Sequence, residues 1–262
     1  MPVNKYSLIV FDLDGTLAES KSPITVDMAD RLVRLLAQTR VAVISGCRFG
    51  QFETQFLANL PSEADLSHLF LFPTCGAAFY RYDGRAWCEI YAEDLAPTDK
   101  QRILSALHKA LNAEGHRPSQ VWGALIEDRG TQITFSALGQ EAPLAQKALW
   151  DPDQRKRAAL RRCLLERIDD FDIKYGGTTS IDITRKGVDK AYGMRKIMSN
   201  LGHSQQEILF VGDRLEPGGN DHAVLGTGVR CVAVQNTAET LGLIDAILRG
   251  DLEPDTTPSR CA

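Results

Sequence analysis

An apolar run that ends in acids constrains this chain more than any other feature. Residues 8–11, Leu-Ile-Val-Phe, pass directly into Asp12-Leu13-Asp14-Gly15-Thr16. An uninterrupted apolar run of this kind reads as a strand buried on both faces, the habit of parallel sheets with helices on either side. Acids two positions apart on extended backbone point the same way, so Asp12 and Asp14 converge at the strand's C-terminal end, where open α/β sheets place their sites. Converging carboxylates suit a divalent cation. Mg2+ takes a few carboxylate or carbonyl oxygens, and it neutralises a phosphate that the acids would otherwise repel. Each acid taken singly has a plainer reading, because Asp-Gly is a common turn and an acid before a helix caps it.

The rest of the chain repeats this wiring. Helical patterns at 26–38 and 48–57 alternate with apolar runs at 41–44 and 69–72, which predicts parallel α/β architecture. Asp83-Gly84 between strand-like runs over 78–90 signals a hairpin, and the wiring changes there. A helix at 98–113, strands at 122–127 and 131–136, a helix at 153–167 and strands at 172–175 and 180–183 predict a smaller, largely antiparallel α+β insert. Parallel wiring resumes with a helix at 190–201, strands at 208–211 and 230–234 and a helix at 238–248. The expected layout is a discontinuous core over 1–85 and 186–250, an insert over 86–185, and a polar, flexible tail over 251–262.

Composition narrows the partners. A formal net charge of -4 leaves no positive excess for a nucleic-acid backbone, so a small molecule is the better partner. Arg155-Lys156-Arg157 and Arg161-Arg162 share a helical pattern with Leu160, Leu164 and Leu165 and read as the solvated face of an amphipathic helix. The six cysteines (Cys47, Cys75, Cys88, Cys163, Cys231, Cys261) include no C-x-x-C pair, which argues against a zinc cluster or disulfide framework and for a reducing cytoplasm. No apolar run approaches the roughly 20 residues of a membrane span, so neither membrane insertion nor secretion is expected.

Three later segments share the placement of the first acids, each just after a strand or at a helix start. Ile44-Ser45-Gly46-Cys47-Arg48 offers a hydroxyl and backbone N–H groups at a strand-to-helix turn; it reads equally as an anion site or as a helix capped by Ser45. Lys190 stands near a helix start and, alone, reads as a surface charge. Gly212-Asp213-Arg214, with Pro217-Gly218-Gly219-Asn220-Asp221 after it, has the acid and the glycine-rich loop of a metal site.

These four segments, in this order, resemble the four motifs of the haloacid dehalogenase superfamily. The resemblance implies an α/β, Rossmann-like core with a parallel sheet and an inserted α+β cap of type IIB. It makes Asp12 the nucleophile that forms an aspartyl-phosphate and Asp14 the general acid/base. Ser45 and Lys190 would hold the transferred phosphoryl group. Asp213 would bind Mg2+ together with Asp12 and the main chain of Asp14, with Asn220 and Asp221 supporting that loop.

Stretches over most of the chain are similar to eukaryotic-type phosphomannomutases: Asp12 to Leu17, Cys75 to Glu89, Ile126-Glu127-Asp128-Arg129-Gly130 through Gly139, 176–182, Gly187 to Lys190, and Gly212 to His222. By that likeness Arg129 grips the distal phosphate of a phosphosugar, while Ser180 and Asp182 fix its hydroxyls. Read from residues alone, Ser180 and Asp182 equally occupy the polar face of a half-buried strand that carries Ile181 and Ile183 on the other. The family's arginines fall on Gln140, Lys147 and Lys21 here, and Arg48 joins these as a substrate contact. Lysine is a point charge and glutamine carries none, so the distal grip is weakened. That favours a phosphatase over a mutase, since a mutase must retain a bisphosphorylated intermediate. A phosphomannomutase-like mutase and, further off, a non-catalytic phosphosugar-binding protein remain the alternatives. The likeness also implies a homodimer through the cap, and a cap that closes about hinges near 84–86 and 185–187.

Overall fold

The computed structural model describes residues 6–115 and 120–252. The chain divides into two compact units, one formed by residues up to Ile90 together with those from Asp189 on, the other by Tyr91–Val188.

The first unit is built on a seven-stranded sheet in the order β11-β10-β1-β2-β3-β4-β5. Its strands are β1 (Leu8–Asp12), β2 (Arg40–Ile44), β3 (Leu69–Phe72), β4 (Ala78–Tyr82), β5 (Trp87–Ala92), β10 (Ile208–Gly212) and β11 (Arg230–Ala233). The five from β11 to β3 pair in parallel, and β4 runs antiparallel to β3. Every residue of β1, β3 and β10 is buried, as their unbroken apolar runs demand. Ile9 and Phe11 on β1, Val41 and Val43 on β2 and Leu209 and Val211 on β10 pack into one cluster with α1 (Val26–Leu36) and α8 (Thr237–Arg249). α1 buries Met28, Ala29, Leu32, Leu35 and Leu36, a single stripe at helical spacing, and starts where the Thr25 hydroxyl accepts from Met28 N. α7 (Lys190–Leu201) packs against β2 and against α3, the turn over Pro73–Gly76. α2 (Phe49–Gln55) is shorter than the predicted 48–57 and is followed by a separate 3-10 turn, Leu57–Asn59.

The second unit has a four-stranded antiparallel sheet in the order β6-β7-β9-β8: β6 (Ile126–Asp128), β7 (Gln132–Ser136), β8 (Phe171–Gly176), β9 (Ser180–Arg185). Its apolar face, with Ile133, Phe135, Ile173, Ile181 and Ile183, packs on α4 (Pro97–Glu114) and α6 (Arg155–Leu165). The intervening residues of β7 and β9 are polar, the period-two alternation that lets a sheet keep one polar face.

Several elements differ from expectation. β5, the second strand of the hairpin, pairs in the seven-stranded sheet and the boundary falls near its end, at Tyr91 rather than at 86, while the first unit resumes at Asp189 rather than at 186. A helix, α5 (Leu144–Trp150), stands where none was expected. Arg157 is not on a solvated face: it is 4% exposed and ion-paired to Asp151 at 2.8 Å. The expected tail from 253 onward, Cys261 included, lies outside the described residues. Among the described residues no helix is long and apolar enough to cross a membrane.

Candidate functional site

Parallel pairing sets three chain crossings side by side. Asp12 closes β1 opposite Ile44 of β2, so Ser45 follows one step beyond on the neighbouring strand. On the other flank Phe11 pairs with Val211, which puts Asp213 just past the end of β10. All three residues therefore sit at the C-terminal edge of adjacent parallel strands, as the alternation of strand and helix implies.

Lys190 joins them from the start of α7. Asp189 caps that helix by accepting from Tyr192 N at 2.8 Å, which fixes the first turn. Lys190 is 1% exposed, so the surface-charge reading fails. Its Nζ donates to Asp12 Oδ1 at 2.5 Å and to Asp221 Oδ1. Asp221 is also buried, and its Oδ2 accepts from Arg214 N at 3.1 Å, so it braces the 213–221 loop from inside.

Asp12, Asp213 and Asp221 each bring a carboxylate oxygen within 4.8 Å of the others. Asp12 Oδ2 and Asp213 Oδ1 are buried without a hydrogen-bond partner among the described residues. Burial pushes the Asp12 carboxyl up to about 8, against the pull of Lys190 and with the repulsion of Asp221. Burial likewise raises Asp213, again with Asp221 adding to it. Burial opposes the charge on Lys190, but Asp12 and Asp221 outweigh it and hold the ammonium well above the ordinary lysine range. One buried ammonium meets three carboxyl groups clustered within 4.8 Å, and two of their oxygens are orphaned. That donor set fits a hard divalent cation.

Gly15 gives the Asp-Gly pair more than a turn's role. Its φ is +89°, and a Cβ there would meet Asp213 Oδ2 at 2.3 Å. The carboxylate of Asp213 thus lies against bare backbone of the first motif. Asp14, beside it, accepts at Oδ1 from Lys21 N at 2.8 Å and from Gln55 Nε2 at 3.1 Å. Gln55 is buried, and Gln51 Nε2 in turn donates to its Oε1 at 2.8 Å.

Ser45 is buried; its Oγ accepts from Cys47 N at 3.2 Å. It is not the cap of α2: the N-cap position belongs to Arg48, which is exposed and makes no side-chain cap bond. Lys21 is exposed and contributes its backbone N–H to Asp14, with φ at 57°. Asn220 is exposed, next to buried Asp221.

The remaining expected residues belong to the second unit. Ser180 and Asp182 lie on the polar face of β9, bonded to Ser136 and Thr134 of β7. Arg129 is ion-paired to Glu127 at 2.9 Å, with side chains 10% and 16% exposed. Lys147, on α5 and buried, donates to the backbone carbonyl of Gln140 at 2.9 Å.

Sequence reasoning missed Gln55, Glu127, Thr134 and Ser136. For Gln55 a signal existed: it is a polar residue on the helix stripe that carries Phe52 and Phe56. Thr134 and Ser136 alternate visibly with Ile133 and Phe135, but which residues face them across the sheet is a matter of register.

The sequence pattern of the eukaryotic phosphomannomutase family matches residues 28–249. The chain belongs to that family. The match begins after the Asp12-to-Gly15 segment, whose geometry is described above. Phosphomannomutase 2 of Dictyostelium discoideum is 22% identical over 253 residues, covering 94% of this chain and 98% of that protein. The phosphomannomutase of Encephalitozoon cuniculi is 24% identical over 255 residues, covering 95% and 96%. Among solved structures, a haloacid dehalogenase-like hydrolase from Bacteroides thetaiotaomicron superimposes with a TM-score of 0.60 at 18% identity, over 94% of this chain and 99% of that one. The chain thus shares the fold of a haloacid dehalogenase-like hydrolase.

Proposed function

We propose that this chain is a Mg2+-dependent phosphatase that acts on a phosphosugar through an aspartyl-phosphate at Asp12. The observation that carries this reading is the cluster of buried Asp12, Asp221 and Lys190 with half-buried Asp213, and its two orphaned carboxylate oxygens. Asp12, Asp213 and the main chain of Asp14 would hold Mg2+, with Asp221 in support. The ion supplies positive charge where phosphoryl oxygens would otherwise meet carboxylates.

Phosphoryl transfer asks a protein mainly for an in-line nucleophile and positive charge around the equatorial oxygens. A carboxylate oxygen of Asp12 attacks phosphorus and the bond from phosphorus to the sugar oxygen breaks. Asp14 gives its proton to that oxygen as the sugar leaves. Water then attacks the aspartyl-phosphate, returns a proton to Asp14 and releases inorganic phosphate, which restores Asp12. Dividing the reaction in this way makes each barrier lower. Lys190 orients Asp12 by holding Oδ1 and adds charge beside the transferred group; Ser45 and Arg48 contribute donors. Gln55 holds Asp14 at Oδ1 and so sets where its other oxygen points.

In the second unit Arg129, Ser180 and Asp182 would contact the sugar phosphate. Gln140 and Lys147 replace arginines of the family, and Lys147 already spends a donor on the Gln140 carbonyl. A loosened distal grip suits hydrolysis better than a reaction that must turn a bisphosphorylated intermediate around. Membership in the phosphomannomutase family favours the second reading, a mutase. A soluble cytoplasmic enzyme that pairs through its second unit completes the proposal, and light scattering on purified protein checks the pairing.

Incubation with mannose 1-phosphate and Mg2+, with and without a hexose bisphosphate, separates the two readings. Free phosphate is expected; dominant formation of the 6-phosphate isomer would reverse their order. Asp12→Asn is expected to abolish either reaction while the circular dichroism spectrum is unchanged, and substantial residual turnover would remove Asp12 as nucleophile.

A further inference from the structure

On the polar face of the second unit's sheet, Ser180 and Asp182 are each bonded to the residue directly opposite on β7. Register sets Ser136 across from Ser180 and Thr134 across from Asp182. The two serine oxygens lie 2.7 Å apart, and Thr134 Oγ1 donates to Asp182 Oδ1 at 2.7 Å. Behind Thr134, Gln132 Nε2 donates to the same hydroxyl at 2.8 Å. Gln132, Thr134 and Ser136 are 3%, 1% and 0% exposed, while Ser180 and Asp182 are half-buried.

The direction of this relay follows from what each group can give. An ionised carboxylate only accepts, and a hydroxyl has one proton. With that proton directed to Asp182, the Gln132 amide must turn its NH2 toward Thr134, and its burial keeps it there. On the far side, a Cβ at position 176 would meet Asp182 Oδ2 at 2.5 Å, so Gly176 of β8 leaves the room the carboxylate occupies. Three elements thus fix one carboxylate rotamer. As a device for stability alone this is a poor choice, because apolar pairs on facing strands would avoid desolvating a charge.

We propose that Thr134 and Ser136 are positioning residues, which aim Asp182 and Ser180 at the hydroxyl groups of a phosphosugar. The proposal rests on the function proposed above and extends it to specificity. A carboxylate held at one oxygen and a hydroxyl held at its own oxygen present a fixed acceptor and a fixed partner two residues apart on one face of one strand. Neither Thr134 nor Ser136 touches a reacting atom; each acts through its partner.

The test compares Thr134→Val, Thr134→Ser and Ser136→Ala with wild type on mannose 1-phosphate and on p-nitrophenyl phosphate, which lacks sugar hydroxyls. Thr134→Val is expected to raise KM for the phosphosugar roughly tenfold or more. The ratio of its kcat/KM to that for p-nitrophenyl phosphate falls accordingly. Ser136→Ala moves both in the same direction, and Thr134→Ser, which keeps the hydroxyl, restores them. A Thr134→Val protein with a lower Tm but an unaltered phosphosugar KM, or a serine variant that fails to restore it, overturns the proposal. Should the valine variant not fold, Gln132→Leu breaks the relay from its far end, and an unaltered KM there overturns it equally. A wild-type protein that turns over p-nitrophenyl phosphate but no phosphosugar removes the proposed function and the relay together. A wild type active on phosphosugars with unaltered variants removes the relay alone.

Discussion

A side chain at position 15 would put its Cβ 2.3 Å from Asp213 Oδ2, on backbone with φ at +89°. Gly15→Ala therefore forces Asp213 away from the other carboxylates, and strains a left-handed residue as well. We expect kcat to fall by more than about a hundredfold, since misplacement of about 1 Å in a reacting constellation costs that much; an alanine variant of near wild-type activity would show that Asp213 need not approach so closely. Lys190 sits under a different constraint, because it is the only cation bonded to buried Asp12 and Asp221 among the hydrogen bonds described above. Lys190→Met leaves two buried carboxylates unpaired. The expected loss is about 3–5 kcal/mol in urea unfolding without divalent cations, together with loss of turnover. A loss below about 1 kcal/mol would mean that the carboxylates take up protons at little cost.

At the scale of elements, the second unit depends on an ion pair that ties α6 to the turn between β8 and β9. Arg157 Nε donates to Asp151 Oδ2 at 2.8 Å, its NH1 donates to Gly177 O at 2.8 Å, and the guanidinium stands 5.1 Å from the Tyr175 ring centre. Asp151 also accepts from Lys156 N at 2.9 Å and Arg157 N at 3.3 Å, which starts the helix. Burial would raise the Asp151 carboxyl, but the Arg157 side chain and these two N–H groups outweigh it and hold it below its ordinary value of 3.8. A depressed carboxyl stabilises the fold above the unfolded-state value, and that contribution is lost as pH falls through the lower folded value. Asp151→Asn is thus expected to cost about 3–5 kcal/mol at neutral pH, with the difference from wild type narrowing below pH 3.8. Urea unfolding at several pH values reads this directly. A difference that stays constant through that range would mean that packing, and not charge, carries the pair. Hydrogen exchange should quicken first in β8 and β9.

For the whole molecule, a cation that binds the folded site and not the unfolded chain must stabilise the protein by mass action. At a hundredfold excess of Mg2+ over its Kd the gain is about 2.7 kcal/mol, or roughly 5–10 °C in Tm for a chain of this size. Asp213→Asn should abolish that shift; a variant that keeps it would place the cation elsewhere. Much of this site was legible in the sequence. Strands with two buried faces are written as unbroken apolar runs, and the acid-bearing loops follow them, so the C-terminal edge that gathers Asp12, Ser45 and Asp213 could be read off local periodicity. The α4 and α7 helices were equally legible, whereas α5, seven residues behind Pro143, carries too short a pattern to announce itself. By itself the sequence determined the parallel core, the antiparallel insert and the acids at strand ends, because those depend on patterns within a few residues. Only the tertiary structure decided which charges meet. Lys190 reaches Asp12 across 178 positions and Asp221 across 31, and Thr134 meets Asp182 across 48. Register and burial set such pairings, and neither leaves a mark in the local order of residues.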